Sequence, residues 1–295
     1  MEINNKTKYV FRVLPGILFL FSATAKLIGI DAFEVYLFSF GWFSLGTAFL
    51  LARLVIAAEY TLGILLIGNF MPRLAFWGGI AMLAAFTLFL AGLAIAGRHD
   101  NCNCFGELVK MSPGQSIAKN IVLLALLVPG TGIKPFKIRH KMPWLALAAI
   151  APLATVLVVS PPDNWRYDSY ARHELVNEEA FREAFEKEIL PSSLLEGDHV
   201  LCFYSLKCRF CKMSAQKLVT LRERGDFTEA PLIAVFGRGE NTDTSAFLEE
   251  TGISFDETYF IEAPEFLRIT NGAFPLILVV HDSAITAKYN YRNLH

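Results

Sequence analysis

The residues with most chemistry to offer are five cysteines, four of them in two close pairs. Cys208-Arg209-Phe210-Cys211 follows an apolar stretch, residues 200–204, and opens a helical pattern over residues 212–224. Two thiols across the start of a helix can open and close a disulfide. The helix N-terminus favours a thiolate, and the thiolate is the attacking form. Cys208 is therefore the expected nucleophile, with Lys207, Arg209 and Lys212 adding positive charge beside it. Cys211 is the expected buried resolving thiol. A lowered thiol pKa stabilises the dithiol and makes the disulfide a stronger oxidant. A structural zinc pair is the competing reading, but no second pair of metal ligands lies near in sequence.

The second pair is Cys102-Asn103-Cys104, inside Arg98-His99-Asp100-Asn101-Cys102-Asn103-Cys104-Phe105-Gly106. A C-x-C pair can close a small, strained disulfide ring, and strain raises the reduction potential, so such a ring tends to accept electrons. A static disulfide and a metal site using His99, Cys102 and Cys104 are the alternatives; the metal site lacks an obvious fourth ligand. The fifth cysteine, Cys202, reads as a buried strand residue.

The elements around these pairs differ in kind. The chain has 295 residues, 54% of them hydrophobic, and a net charge of -1. The first half is nearly continuous apolar sequence and the last third reads as a soluble domain, so a membrane part and a soluble part are expected. No basic-aromatic groove pattern appears, which argues against nucleic acid. Five apolar segments cover residues 13–30, 45–68, 74–96, 116–129 and 143–160. A span needs roughly 20 apolar residues, and the fourth segment is the weakest, with a clean core of only residues 121–128. Lys6, Lys8, Arg12, Arg73, Lys134, Lys137, Arg139 and Lys141 belong on the cytoplasmic side of a five-helix arrangement with the N-terminus inside. The C-terminal domain and every cysteine then lie outside, in an oxidising space. Ala23-Thr24-Ala25 has the look of a signal-peptide cleavage site, but the apolar run continues through Leu27 to Ile30, which favours an uncleaved helix.

Three charges stand within the apolar segments: Lys26, Arg53 and Glu59. Charges at that depth are costly unless paired or facing a polar cavity. One reading is snorkelling by Lys26 and an ion pair of Glu59 with Arg53 or Lys26. The other is a polar pocket for a quinone head group, in which Arg53 donates to a quinone oxygen, aided by Lys26 and Glu59.

Residues 177–189 read as an amphipathic helix with Ala180, Phe181, Ala184, Phe185 and Ile189 on one face. Residues 191–198 read as a loop. Strands are expected at residues 200–204, 231–236, 276–280 and 285–291, the last two joined through Asp282-Ser283. Residues 244–251 read as a helix, 258–261 as a short extended piece and 264–269 as a helical turn. Phe274-Pro275 stands directly before an apolar strand, where a proline is unusual.

Two resemblances follow from these residues. Cys102-Asn103-Cys104-Phe105-Gly106, then Ser112-Pro113 and Lys119-Asn120, together with Lys26-Leu27 and Arg53 with Glu59, resemble the MauE family over residues 10–130. MauE proteins lie within the DoxX-like group of four-helix membrane proteins, and the resemblance implies a part in disulfide formation during maturation of a periplasmic dehydrogenase. Strand, C-x-x-C, helix and Phe274-Pro275 resemble the thioredoxin fold in its extracytoplasmic TlpA-like form over residues 199–295. That resemblance implies a cis-proline at Pro275 facing the C-x-x-C and contacting the client chain. Typical thioredoxins carry a buried acid where this chain has Cys202. The whole plan is similar to bacterial vitamin K epoxide reductase homologues, which pass electrons from a fused thioredoxin domain to quinone; this chain differs in having no C-x-x-C within a membrane helix.

The expected fold class is a membrane all-α bundle of five transmembrane helices plus a C-terminal α/β thioredoxin-like domain. Its parts are a four-helix domain (1–142), a fifth helix (143–162), a polar linker with an amphipathic helix (163–198) and the thioredoxin-like domain (199–295). The expected function is a thiol-disulfide oxidoreductase of the bacterial inner membrane. It would oxidise extracytoplasmic cysteine-containing clients at Cys208 and Cys211, with Pro275 at the same site, and pass electrons to Cys102 and Cys104 and on to membrane quinone. No bound metal is expected. The alternatives are a membrane-anchored maturation factor or chaperone without redox work, and a quinone oxidoreductase of small sulfur compounds.

Overall fold

The computed structural model describes residues 5–95, 104–109, 111–130, 140–166, 176–239 and 242–294. The chain divides into two compact units: Met1–Tyr36 with Thr47–Pro161, and Leu37–Gly46 with Pro162–His295.

The first unit is helical. It is built from α1 (Asn5–Ile28), α2 (Ile30–Phe38), α3 (Leu45–Gly68), α4 (Pro72–Ile95), the short strand β1 (Cys104–Glu107), α5 (Pro113–Leu127) and α6 (Lys141–Val159). Among the described residues, four stretches, Thr7–Ile28, Leu45–Gly68, Pro72–Ile95 and Lys141–Val159, are long and apolar enough to cross a membrane. The 15-residue α5 is shorter. It starts sharply because Ser112 accepts from the Gln115 N–H while the Gln115 side chain accepts from the Ser112 N–H, with Pro113 in the first turn. The basic loop residues Lys134, Lys137 and Arg139 lie outside the described residues.

Helices α1 and α3 approach closely where both lack side chains: a Cβ on Gly63 would lie 2.9 Å from the Gly16 carbonyl oxygen. Small residues at such crossings let apolar helices pack backbone to backbone.

One element departs from the sequence reading. Between the apolar segments 13–30 and 45–68, where the sequence reading places no element, lies most of α2. Its Glu34 is fully buried and pairs with Arg53 of α3. Arg53 also donates to the carbonyls of Phe49 (2.9 Å), Ser160 (3.0 Å) and Pro161 (3.1 Å). The last two follow the C-terminus of α6, where carbonyls have no helical partner. One guanidinium thus holds α2 and the end of α6 against α3. An Arg53→Met variant leaves the Glu34 carboxylate buried without its partner. It should lose about 3–5 kcal/mol of stability, read as a lowered midpoint for unfolding in mixed detergent micelles.

The second unit adds α7 (Asp163–Arg166), α8 (Glu178–Glu186), a 3-10 turn (Ser192–Leu195), β2 (Asp198–Tyr204), α9 (Arg209–Glu223), β3 (Leu232–Arg238), α10 (Ser245–Thr251), β4 (Glu257–Glu262), α11 (Ala263–Ile269), β5 (Leu276–His281) and β6 (Ala284–Tyr289). The five strands form one sheet in the order β4-β3-β2-β5-β6. β2 runs parallel to β3 and β3 to β4, whereas β5 and β6 are antiparallel. β2 is the central strand, and Val200 to Tyr204 are all buried. Strands buried on both faces read as continuous apolar runs, which is how residues 200–204 and 231–236 appear in sequence.

Helix α8 ends three residues earlier than expected, because Glu188 takes a positive φ of 56°. Its apolar face still packs as read: Ala180, Phe181, Ala184 and Phe185 join Leu201, Phe203, Val235 and Leu278 in one core, and Ile189 lies against it. The loop expected at 191–198 contains the 3-10 turn. Asp282 and Ser283 both have positive φ, 43° and 70°, as a tight hairpin turn requires. The Phe274–Pro275 peptide is cis.

Candidate redox site

The C-x-x-C site is set by the end of β2. After Tyr204 the chain turns, the Cys208 N–H donating to the Ser205 carbonyl at 3.0 Å, and α9 begins at Arg209 with Cys208 as its N-cap. The Cys208 Sγ accepts from the Cys211 backbone N–H at 3.3 Å. A helix start leaves such N–H groups without partners, so a sulfur carrying negative charge meets donors already in place. Cys211 faces inward and is fully buried, and its Sγ accepts from the Ser205 N–H at 3.4 Å.

The two thiols are accordingly unlike. Hydrogen bonding from the Cys211 thiol, joined by the Cys211 and Phe210 backbone N–H groups, holds Cys208 down at about 6 against the opposing effect of burial. Burial, then the Cys208 sulfur beside it, pushes Cys211 well above the ordinary thiol range. The lowering at Cys208 comes from these short-range donors rather than from the expected basic neighbours. Lys212 is turned to Glu250, 2.7 Å away.

Pro275 directly precedes β5. In the β2–β5 register Leu276 pairs with Phe203, so Pro275 falls at the end of the sheet from which β2 leads to Cys208. Cys202 sits in mid-sheet between Ala234 and Ile277 and is fully buried. Burial pushes its thiol up to about 12. It offers no base to its neighbours at neutral pH.

Of the upstream pair, Cys102 lies outside the described residues, as does His99. Cys104 opens β1, and β1 rests on α1. Ser22 donates to the Cys104 carbonyl at 2.9 Å. The Lys26 ammonium donates to Ser22 at 2.6 Å and to both Glu59 oxygens at 2.7 and 2.9 Å. The Phe105 ring packs on Phe21, with centroids 5.4 Å apart, and the Lys119 ammonium lies 4.4 Å from the Phe105 centroid. Gly106 takes φ +56°, and a Cβ there would lie 2.5 Å from the Ala25 carbonyl oxygen.

Lys26 is therefore not a snorkelling residue. It is 2% exposed and paired with Glu59, one of the two pairings expected. Arg53 takes Glu34 instead. The sequence reading missed Ser22, whose one available signal is its place one helical turn before Lys26. It also missed Glu34, which looks like an ordinary loop acid until α2 is seen.

Residues 4–132 match the family described as "Methylamine utilisation protein MauE", so the chain carries a MauE membrane domain at its N-terminus, followed by an α/β domain with a C-x-x-C at a helix start. Among curated proteins, the chain is similar to "Protein TlpB" of Flavobacterium psychrophilum, with 28% identity over 84% of this chain and 81% of that protein. No solved structure matches significantly.

Two measurements probe the geometry. Alkylation of reduced Cys208 should be half-maximal near pH 6, because the reacting thiolate grows in as pH rises through that value. The Cys208 peptide, followed by mass spectrometry from pH 4 to 9, gives the profile; a midpoint near the ordinary thiol value of about 8.5 contradicts the donor arrangement. A Gly106→Ala change pushes the stretch from Cys104 to Gly106 off α1, and reduced Cys104 should then react with a maleimide severalfold faster than in the parent chain.

Proposed function

We propose that this membrane protein is a thiol-disulfide oxidoreductase that forms disulfides in extracytoplasmic client proteins. The observation that carries the reading is the asymmetric C-x-x-C: a half-buried Cys208 with an acidic thiol above a buried Cys211. The order of the sheet and the placing of Cys208 at the start of α9 support reading the second unit as a thioredoxin-like domain. The uneven loop distribution of Lys and Arg supports five spanning helices with that domain outside.

The circuit balances as follows. A client thiolate attacks the Cys208 sulfur of the Cys208–Cys211 disulfide, and Cys211 leaves as a thiolate and takes a proton. A second client thiolate attacks the client sulfur of that mixed disulfide and releases Cys208. The client now holds a disulfide, and its two electrons rest on Cys208, released as a thiolate, and on Cys211, which has taken one proton; the other client proton is left in solvent. The same exchange, run against Cys102–Cys104, moves them to the loop pair. A membrane quinone as final acceptor would take both electrons, and two protons drawn from the thiol and from solvent, and become the quinol.

The residues first considered for the quinone fit it poorly. Arg53 is engaged by Glu34 and three carbonyls, and Lys26 by Ser22 and Glu59. A better fit is an apolar crevice of about 470 Å³ lined by Leu27, Tyr60, Ile64, Trp144, Ala151 and Thr155, among α1, α3 and α6. Its size and apolar wall suit a quinone ring and the start of its tail, and Tyr60 brings a hydroxyl that meets Thr24 at 2.9 Å.

The test is disulfide trapping in native membranes. Cys211→Ser combined with Cys102→Ser or with Cys104→Ser leaves Cys208 and one loop sulfur. At least one combination should accumulate a Cys208-to-loop disulfide, and the parent chain should form quinol only when given a dithiol client. Folded protein that traps neither disulfide and forms no quinol overturns the reading.

A further inference from the structure

Lys217 lies on α9 two turns beyond Cys211 and is completely buried. A buried ammonium needs hydrogen-bond partners. Its Nζ donates to the Tyr291 carbonyl at 2.9 Å and lies 4.0 Å from the Tyr291 ring centroid. Tyr291 belongs to a turn near the end of the chain, just after β6. That turn is closed by Asn290, which accepts from the N–H groups of Arg292 (2.7 Å) and Asn293 (3.1 Å), and it is anchored by a fully buried Leu294.

The turn reaches the redox motif. The Tyr291 ring packs on Phe210, the residue just before Cys211, with centroids 5.2 Å apart. The Arg292 guanidinium lies 5.7 Å from the Phe210 ring and 5.1 Å from the Tyr291 ring. It is held there by Asp163, whose two carboxylate oxygens both accept from Arg292 Nη1, at 2.6 and 2.7 Å. Nothing in the exchange chemistry described above uses Lys217, Tyr291, Arg292 or Asp163. Yet together they grip the residue on which the geometry of Cys211 depends.

We propose that this C-terminal turn is part of the redox site, and that Tyr291, carried by Lys217, is a positioning residue that fixes Phe210 and the first turn of α9 so that the Cys211 N–H points at the Cys208 sulfur. The inference rests on reading Cys208 as the attacking thiol. Free of its stack, Phe210 lets the first turn of α9 loosen. The donors to the Cys208 thiolate then lose their aim, the dithiol is less favoured and exchange slows.

The experiment uses the full chain in detergent. Tyr291→Ala should slow iodoacetamide alkylation of Cys208 at pH 7 at least fivefold. It should also shift the equilibrium with glutathione about fivefold toward the disulfide, about 20 mV at 29.6 mV per decade. Tyr291→Phe keeps the stack and should restore both values to within twofold of the parent. Arg292→Gln, which keeps the tyrosine, should move both in the same direction by about threefold and serves if Tyr291→Ala does not fold. A variant that melts earlier but keeps the parent's alkylation rate and equilibrium shows a turn that only stabilises the domain, and overturns the proposal. Because alkylation needs no client, these readouts stand apart from the trapping experiment: a chain that traps nothing can still show, or fail to show, the effect of Tyr291.

Discussion

The donation from the Cys211 N–H to the Cys208 sulfur is the contact on which the second unit turns. It exists only because β2 ends at Tyr204 and α9 begins five residues later, at Arg209. That spacing requires β2 to be held rigidly. Its last five residues are buried on both faces, between β3 and β5. Burying a strand this completely removes apolar surface from water at roughly 25 cal/mol per Å². The large apolar contribution of the core therefore holds in place a polar contact worth only about 1 kcal/mol by itself. The same contact divides the two cysteines by role: one sulfur is met by donors, the other is enclosed.

The membrane unit solves a different problem, that of charge in apolar surroundings. Lys26 with Glu59, and Arg53 with Glu34, are fully buried pairs, and each cation also reaches neutral acceptors. Neutralising and hydrogen-bonding a buried ion in this way is what makes it tolerable at depth. Both pairs fasten something besides themselves. Arg53 closes over the carbonyls that follow α6. Lys26, through Ser22, holds the backbone of Cys104. Cys104 and Phe105 thus rest on α1, Cys104 through its carbonyl and Phe105 through ring packing.

Much of this was legible in the chain. The C-x-x-C before a helical pattern, the strand order along the chain, the apolar face of α8 and the Asp282-Ser283 turn all rest on local periodicity or turn chemistry, and these are written in neighbouring residues. What was hidden lies in long-range partners. Ser22 meets Cys104 across 82 positions and Lys217 meets Tyr291 across 74, and neither separation leaves a local pattern. Glu34 was hidden because α2 looks like a loop until Arg53 neutralises its acid. The basic residues beside Cys208 misled for the opposite reason: their sequence proximity suggested an influence that Lys212, drawn to Glu250, does not exert. Lys217 did leave one trace, a lysine among Met213, Leu218 and Leu221 on the buried face of α9.

The enclosure of Cys211 has a consequence for traffic through the domain. With one sulfur half-exposed and the other sealed, every partner must bond to the same atom, in the same orientation. On the proposed circuit, a client and an electron acceptor could not both be attached, so they would take turns. In that circuit the domain would work as a single berth, with throughput set by how quickly Cys211 expels one occupant before the next arrives. Crowding by reduced clients would keep that berth full and starve the return path. The burial of one thiol thus makes the order of events a property of the fold, with no separate gate needed to impose it.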